Sequence, residues 1–256
     1  MIHPTALIDP SSSVDENVKI GAYTIIGANV SIGSGTEIGP HVVVNGTTTI
    51  GKNNRIYQFA SIGEDPQDKK YAGETSFLGI GDNNEIREFT TIHRGTTQDK
   101  NLTSIGNNNL LMAYTHVAHD CVIADGVILA NAASLGGHVH IGSHVILGGF
   151  TIVHQFCHLG DHCFSAMGSA ISKDVPPYVM VGGRPTKPHG INSVGLDRKG
   201  FSPASILNIK RAYKVLYKSG LKLSEATVEL GKLAADEPKL KGMMGFLENS
   251  NRSILR

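Results

Sequence analysis

A repeat of six residues dominates the sequence. Aliphatic side chains occupy every sixth position from Ile2 to Ile62, and after two interruptions the repeat continues to Ile171, with Ser165 as its one polar member. Neither an α-helix nor an alternating strand has this period, but a short strand followed by a turn does. Three such units make one triangular coil of 18 residues, and stacked coils hydrogen-bond at a spacing of about 4.8 Å. We therefore predict a parallel β-helix.

The composition fits a chain built from short strands and turns. Glycine supplies 30 of the 256 residues, and charged residues supply only 18%, where about 25% is usual. The formal net charge of +1 argues against a protein that binds nucleic acid along its whole length. The chain starts without a basic stretch followed by an apolar run, and it contains no 18 consecutive apolar residues. We therefore expect a soluble, cytoplasmic protein without a transmembrane segment.

The fourth position after each aliphatic residue predicts the corners of the coil, where only small side chains should fit. Small residues take this position at Thr24, Val30, Thr36, Val42, Thr48, Ala60, Thr90, Thr115, Ala133 and Thr151. All three cysteines, Cys121, Cys157 and Cys163, fall in it as well. We therefore predict that they are buried core residues, with no role as metal ligands or nucleophiles.

Two interruptions of the repeat predict loops that leave the coil. Ile80 follows Ile62 by 18 positions with no hexad pattern between them, and Ile105 follows Ile92 by 13 positions. We place these loops near residues 64–79 and 96–104. Loops on a regular scaffold are where binding and catalytic residues concentrate.

The repeat stops after Pro177, and the rest of the chain has helical signals. Ser202 suits an N-cap, Pro203 the first helical position, and Gly220 the helix end. A second helix over residues 224–235 and a third after Pro238 complete the prediction. We assign residues 1–190 to the β-helix and residues 191–256 to a helical domain.

The helical tail is basic. Residues 201–256 hold ten Lys and Arg against five acidic residues, an excess of +5. Lys210, Lys214 and Lys218 are four residues apart and so share one helix face. Two interpretations stay open here: an ordinary solvated face, or a docking surface for an acidic partner.

Histidines are the residues with the most evident chemistry. Seven of the 12 lie between His116 and His158. His119 lies two positions past the inward Val117, so it should point outward, and Gly137 follows it by 18 residues, one coil further on. A histidine stacked against a glycine N–H suits a general base beside an oxyanion donor.

Three other interpretations of these residues are weaker. The chain has no Gly-x-Ser-x-Gly, Cys-x-x-Cys or His-Glu-x-x-His motif, so serine nucleophiles and zinc proteases lack support. His116 and His119 could hold a metal between subunits, but we find no carboxylate or Cys with the matching outward phase and expect no metal. Outward histidines can also be plain surface residues.

Several motifs together resemble one family along essentially the whole chain. They are Ile92-His93-Arg94-Gly95-Thr96, His116-Val117-Ala118-His119-Asp120, Gly136-Gly137-His138-Val139, Val153-His154-Gln155-Phe156, Asp174-Val175-Pro176-Pro177-Tyr178-Val179 and Arg198-Lys199-Gly200-Phe201-Ser202. The chain resembles the UDP-N-acetylglucosamine O-acyltransferases, which catalyse the first step of lipid A biosynthesis. The resemblance implies a left-handed β-helix.

The resemblance also implies an activity and partners. The expected reaction transfers a (R)-3-hydroxyacyl chain from acyl carrier protein to the glucosamine 3-hydroxyl of UDP-N-acetylglucosamine, without a cofactor. The expected assembly is a homotrimer with active sites between adjacent subunits. The basic tail matches the docking site for the acidic carrier protein.

Residue roles follow from the same resemblance. His119 matches the general base, Asp120 the residue that orients it, and Gly137 the oxyanion donor. The positions that match substrate contacts are Gln67, Asp68, Lys70, His116, His138, His154 and Gln155. Met167 matches a residue that limits acyl-chain length.

One segment departs from the family pattern. The nucleotide segment of the family reads Asn-x-Glu-Gly followed by two basic residues. Here Asn192, Arg198 and Lys199 are present, but Val194 replaces the Glu and Asp197 adds a negative charge. We expect the two basic residues to bind phosphate.

Two alternatives remain at this stage. The later N-acyltransferase of the same pathway shares the β-helix but carries a separate N-terminal uridine-binding domain, whereas the hexads here begin at Ile2. A β-solenoid scaffold without catalysis is the other. An assay with acyl carrier protein thioester and UDP-N-acetylglucosamine separates all three.

Overall fold

The computed structural model describes residues 1–250 and 252–256. The strands are β1 (Leu7–Ile8), β2 (Ser13–Val14), β3 (Lys19–Ile20), β4 (Ile25–Ile26), β5 (Val30–Ile32), β6 (Glu37–Ile38), β7 (Val43–Val44), β8 (Thr47–Ile50), β9 (Arg55–Ile56), β10 (Ser61–Glu64), β11 (Phe77–Ile80), β12 (Glu85–Ile86), β13 (Thr91–His93), β14 (Leu102–Ile105), β15 (Leu110–Leu111), β16 (His116–Val117), β17 (Val122–Ile123), β18 (Ile128–Leu129), β19 (Ser134–Leu135), β20 (His140–Ile141), β21 (Ile146–Leu147), β22 (Ile152–Val153), β23 (His158–Leu159), β24 (Phe164–Ser165), β25 (Ala170–Ile171), β26 (Val179–Gly182) and β27 (Lys187–Ile191). The helices are α1 (Ser193–Arg198), α2 (Pro203–Lys218), α3 (Leu223–Asp236) and α4 (Leu240–Glu248).

The strands form three parallel sheets that make the three sides of a prism. Sheet 1 runs from β1 to β25 with nine strands, sheet 2 from β2 to β23 with eight, and sheet 3 from β3 to β27 with ten. Up to β25, each strand pairs in parallel with the third strand along the chain, and Leu7 pairs with Ile25, 18 residues on. At the end of sheet 3, β24 pairs in parallel with β26, and β26 pairs antiparallel with β27. The predicted left-handed parallel β-helix with C-terminal helices is confirmed.

The aliphatic members of the repeat fill the axis of the prism. Ile26, Ile62 and Leu111 are at most 1% exposed, and burying such a side chain contributes about 1.5 to 3 kcal/mol. Ser165 is also buried in this column, and its hydroxyl lies 2.8 Å from the Thr151 hydroxyl. Its polar group therefore has a partner inside the core.

The corner position accepts more than small residues, which corrects the sequence rule. Asn54, Asn84 and Asn109 occupy it on three successive coils and are at most 2% exposed. The Asn54 side chain accepts from the Asn84 backbone N–H at 2.9 Å, and Asn84 accepts from Asn109 in the same way. The side-chain oxygen of each Asn thus accepts from the backbone of the next coil, which allows a larger polar side chain at the corner.

The cysteines lie in the core as predicted: all three are free thiols with at most 1% of their surface exposed. Burial raises the pKa of the Cys121 thiol to about 12 and that of Cys157 to about 11. Burial also raises the pKa of Cys163. Since the thiolate is the nucleophilic form, all three should be inert in the folded protein.

We expect a chromogenic aromatic disulfide reagent to label none of the three cysteines under native conditions, because reagent access and thiolate formation are both blocked. Adding denaturant should release the signal of three thiols per chain. Absorbance with and without denaturant measures both. Rapid native labelling of any cysteine would contradict its placement in the core.

Two loops leave the prism between sheet 1 and sheet 2. Residues 65–76 connect β10 to β11, and residues 94–101 connect β13 to β14. Arg94, only 8% exposed, joins the two loops. It donates hydrogen bonds to the Gly63 carbonyl, the Asp65 carboxylate and, at 3.1 Å, the Tyr71 hydroxyl. The two loops are therefore anchored to the same side chain.

The C-terminal helices pack their own small core beside the end of the β-helix. α2 begins at Pro203 with the Ser202 side chain accepting from the Ser205 N–H, as the sequence suggests. α1 and the antiparallel pair of β26 with β27 were not anticipated. Among the helices of the described residues, none has the length and apolar character needed to cross a bilayer.

Candidate active site

The candidate site lies on the edge where sheet 1 turns into sheet 2. The turn residue three positions after each inward aliphatic adopts a left-handed conformation: φ is 59° at Asp120, 59° at His138 and 64° at Phe156. These residues are 18 apart and therefore stack on successive coils. Because the same turn recurs on each coil, its outward side chains are aligned along the edge of the prism.

His119 and Asp120 form a hydrogen-bonded pair on this edge. His119 Nδ1 lies 2.9 Å from Asp120 Oδ2, and the two side chains are 13% and 1% exposed. Thr96, from loop 94–101, donates its N–H to Oδ1 at 2.8 Å and its hydroxyl to Oδ2 at 2.7 Å. Burial tends to raise the pKa of Asp120, but the hydrogen bonds from His119 and Thr96 outweigh it and hold the pKa below its usual value. An ionised carboxylate so held fixes the imidazole with Nδ1–H toward it.

Gly137 packs directly against the His119 ring. A Cβ at position 137 would lie 2.6 Å from Cε1 and 2.8 Å from Nε2 of His119, so no other residue fits without displacing the ring. The Gly137 N–H donates no hydrogen bond within the described residues. The His119 ring therefore packs against a residue whose backbone N–H is available as a donor, an arrangement that suits acyl transfer.

Two further predicted histidines surround this pair. The His138 ring meets His119 edge-on, with centroids 5.1 Å apart, and stacks on Phe156 at 4.4 Å. His116 Nδ1 lies 2.7 Å from the Thr91 hydroxyl. Burial, reinforced by nearby His119, lowers the pKa of His116. The aromatic rings thus fill the edge around the base.

His93 is a neighbour that sequence reasoning missed. It meets His116 edge-on at 5.1 Å and is 4% exposed. Burial, followed by the effect of His116, lowers the pKa of His93 to about 4. It is therefore neutral near pH 7. The sequence signal that could have identified His93 is its place one coil before His116, in an Ile-His-Arg segment next to a predicted loop.

His154 and Gln155 lie on the coil after Gly137 and are exposed. His154 Nδ1 lies 3.0 Å from the Gln155 carbonyl oxygen. The same oxygen accepts a hydrogen bond from Arg252 of the C-terminal segment at 3.0 Å. Both side chains are accessible to a ligand at the upper end of the edge.

His119, Asp120 and His138 each place one potential metal-binding atom within 4.8 Å of the other two. In residues 1–250 and 252–256 they are the one cluster of three or more His, Cys, Asp or Glu side chains close enough to hold a metal ion. The expectation that no carboxylate faces these histidines is therefore wrong, because Asp120 turns outward in the left-handed turn. Both of its oxygens already accept hydrogen bonds from Thr96. That donor set suits an oriented base, and the absence of a metal stays a prediction.

The predicted substrate residues Gln67, Asp68 and Lys70 lie on loop 65–76, which leaves the same edge two coils before His119. Asp68 Oδ1 accepts from the Lys70 N–H at 3.0 Å, which shapes the loop locally. In the described part of the chain, no hydrogen bond joins these three side chains to His119. They share its edge of the prism.

The remaining predicted residues lie on the other two edges. The Asn192 side chain accepts from the Gly195 N–H as the cap of α1 and donates to the His162 carbonyl at 3.1 Å, where sheet 2 turns into sheet 3. Arg198 and Lys199 are exposed at the end of α1. Met167, 77% exposed, lies where sheet 3 turns into sheet 1. One chain therefore does not bring these residues to His119.

Known proteins match the chain in both of its parts. The family described as bacterial transferase hexapeptide (six repeats) matches residues 102–137, and domain 2 of UDP N-acetylglucosamine O-acyltransferase matches residues 174–255. The acyl-[acyl-carrier-protein]--UDP-N-acetylglucosamine O-acyltransferases of Herminiimonas arsenicoxydans and Thiobacillus denitrificans are 53% and 51% identical. Each alignment covers 100% of this chain and 99% of the relative.

Solved structures agree with these matches. The UDP-N-acetylglucosamine O-acyltransferase of Moraxella catarrhalis superposes with a TM-score of 0.97 at 49% identity, over 100% of this chain and 99% of that one. The Arabidopsis UDP-N-acetylglucosamine acyltransferase superposes with a TM-score of 0.87 at 35% identity, over the full length of both. From the fold and these end-to-end relatives, the chain belongs to the UDP-N-acetylglucosamine O-acyltransferase family of hexapeptide-repeat acyltransferases.

Proposed function

We propose that the chain transfers a (R)-3-hydroxyacyl group from an acyl carrier protein thioester to the glucosamine 3-hydroxyl of UDP-N-acetylglucosamine, the first step of lipid A biosynthesis. We further propose that it acts as a cytoplasmic homotrimer. The relatives' names supply the substrates. The observation that carries the chemistry is the His119–Asp120 pair packed against Gly137. No observation favours the N-acyltransferase or the scaffold.

The geometry supports general-base catalysis by His119. Asp120 holds Nδ1–H, which leaves Nε2 free to accept the proton of the sugar 3-hydroxyl. The hydroxyl oxygen attacks the thioester carbonyl, and the Gly137 N–H stabilises the oxyanion of the tetrahedral intermediate. When the intermediate collapses, the C–S bond breaks and the thiol of the carrier takes the proton back from His119. The products are the 3-O-acyl sugar nucleotide and the free thiol carrier.

The distribution of site residues over three edges supports a site shared between chains. His119 and Asp120 lie on the edge between sheets 1 and 2, whereas Arg198 and Lys199 lie with α1 beside the edge between sheets 2 and 3. A nucleotide sugar that contacts both sets needs an edge of each kind from two chains. A closed trimer supplies three such pairs of edges by its symmetry.

The exposed face of α2 supports docking of acyl carrier protein. Lys210, Lys214 and Lys218 are exposed on one side of the helix, and Ile209 and Leu216 are buried on the other side. A row of ammonium groups four residues apart presents a continuous positive stripe to an acidic partner. The stripe speeds encounter more than it strengthens the complex.

The proposed reaction is tested with purified chain, 3-hydroxyacyl carrier protein and UDP-N-acetylglucosamine. Mass spectrometry should show one acyl group added to the nucleotide sugar, with equal release of carrier thiol. Mild alkali should remove the group, because an ester is labile where an amide is not. A product that resists alkali would show N-acylation, and the absence of any product would contradict the proposal.

Mixed trimers test whether the site is shared. We expect His119→Ala and the double variant Arg198→Ala/Lys199→Ala to be weak separately, because each lacks one part of every site. Isolated mixed trimers should recover up to about a third of wild-type activity, since each of them holds one site, out of three, with both edges intact. Activity is measured on the same reaction, and mixed trimers are isolated with two affinity tags.

The control for this experiment is mixing of separately assembled trimers without exchange, which should restore nothing. Co-expressed trimers that stay at the level of the weaker parent would place all of these residues in a site within one chain.

A further inference from the structure

A second histidine–carboxylate pair lies beside the first. His138 Nδ1 is 2.9 Å from Asp99 Oδ2, and the two side chains are 12% and 35% exposed. Asp99 comes from loop 94–101, 39 residues before His138. An ionised carboxylate only accepts hydrogen bonds, so the ring must donate Nδ1–H to it.

Two aromatic contacts also hold the His138 ring. One face stacks on Phe156 with planes 11° apart, and the ring meets His119 at 89°. Nε2 lies 3.8 Å from Asp120 Oδ2, on the side of the base. Packing therefore fixes the plane of the ring but treats its two nitrogens alike, and the bond to Asp99 determines which nitrogen faces the base.

The loop that carries Asp99 is itself fixed to the base pair. Thr96 donates two hydrogen bonds to Asp120, and the Thr96 carbonyl accepts from the N–H of Asp99 at 3.3 Å and of Asn101 at 3.1 Å. Asp99 thus lies one tight turn from the contact that orients His119. One short loop supplies the hydrogen-bond partners of both imidazoles.

We infer that Asp99 is a positioning residue, which acts through His138 and aims its Nε2 at a hydroxyl group of the acceptor sugar nucleotide, from which Nε2 can accept a hydrogen bond. The inference rests on the proposed function, because it assigns His138 to the acceptor in the same site. Partners that orient a metal-bound imidazole through its other ring nitrogen change metal affinity or activity by about 10 to 100-fold when removed, and we expect the lower end of that range for an imidazole that binds substrate without a metal.

Kinetics of three variants test this role. Asp99→Ala should lower kcat/KM for the acceptor about tenfold, while Asp99→Asn should keep most of the activity because its amide oxygen still accepts from Nδ1–H. Lys100→Ala is the matched control, since Lys100 is the next residue of the same loop and is exposed. It should leave kcat/KM unchanged.

A double-variant cycle shows whether Asp99 acts through His138. In a His138→Ala background, Asp99→Ala should cause no further loss, because the ring that it orients is gone. An undiminished tenfold loss in that background would overturn the inference, as would an Asp99→Ala enzyme as active as wild type.

A readout without substrate separates this inference from the proposed reaction. In protein with ¹⁵N-labelled histidine, the His138 Nδ1–H correlation should be present in wild type and Asp99→Asn and lost in Asp99→Ala. Its persistence in Asp99→Ala would count against Asp99 alone. A wild-type protein that shows the correlation but acylates no nucleotide sugar would count against the proposed reaction alone.

Discussion

Alanine in place of His119 should lower turnover by about 10² to 10⁴-fold, the contribution typical of a general base. Of the hydrogen-bonded His119–Asp120 pair, only the His119 ring packs against Gly137, and Asp120 is buried and already hydrogen-bonded to Thr96. The protein should stay folded, because the His119 side chain lies outside the aliphatic column of the prism. Initial rates at saturating substrates measure the effect, and circular dichroism with sedimentation confirms the fold.

His3→Ala is the matched control for this prediction. His3 is exposed near the N-terminal end of the prism, and its ring bonds only to Thr5 within the described residues. It should keep wild-type turnover. If His119→Ala retained more than about a tenth of the activity, His119 would not be the base.

Most of the β-helix could be predicted from the sequence because one period determines burial, turn and pairing together. Val117 and Leu135 are 18 residues apart, so the repeat alone makes them neighbours, and the structure pairs them. The antiparallel strand β27 and the short helix α1 could not be predicted in this way. They follow the end of the repeat, and their place depends on packing against the last coils.

The candidate site likewise contains residues that the repeat predicts and residues that it does not. Gly137 follows His119 by 18 residues, which is one coil, so the repeat alone predicts that the two are neighbours. Asp120 is adjacent to His119 in sequence. Thr96 and Asp99 lie on a loop outside the repeat, whose path the period does not specify. Their contacts with the base pair and with His138 are visible only in the folded chain.

The edge between sheets 3 and 1 carries an apolar strip suited to an acyl chain. Phe150, Ile152 and Met167 are 64%, 56% and 77% exposed there. Large apolar side chains grouped on a surface usually mark a binding site for an apolar ligand or a partner. Met167 lies one coil above Gly149, at the end of this strip, where its thioether side chain takes up space along the edge.

We therefore predict that the enzyme prefers 3-hydroxyacyl donors nearer ten carbons than fourteen. Each buried methylene contributes about 0.8 kcal/mol. If Met167 excludes the last four methylenes, a fourteen-carbon donor forfeits the about 3 kcal/mol, or roughly a hundredfold in kcat/KM, that these methylenes would contribute in an open groove, and so has no advantage over a ten-carbon donor. The clash of the excluded methylenes with the Met167 side chain then places the fourteen-carbon donor below the ten-carbon donor.

Met167→Gly should shift the preference toward longer donors, because it opens the end of the strip, while Met167→Leu should keep the ten-carbon preference because it conserves volume. Competition among donors of ten, twelve and fourteen carbons, read by product mass, measures the profile for each variant. Since only the ratio among donors is compared, a general loss of activity does not affect the result. An unchanged profile in Met167→Gly would mean that the flexible Met167 side chain folds aside and that another residue limits chain length.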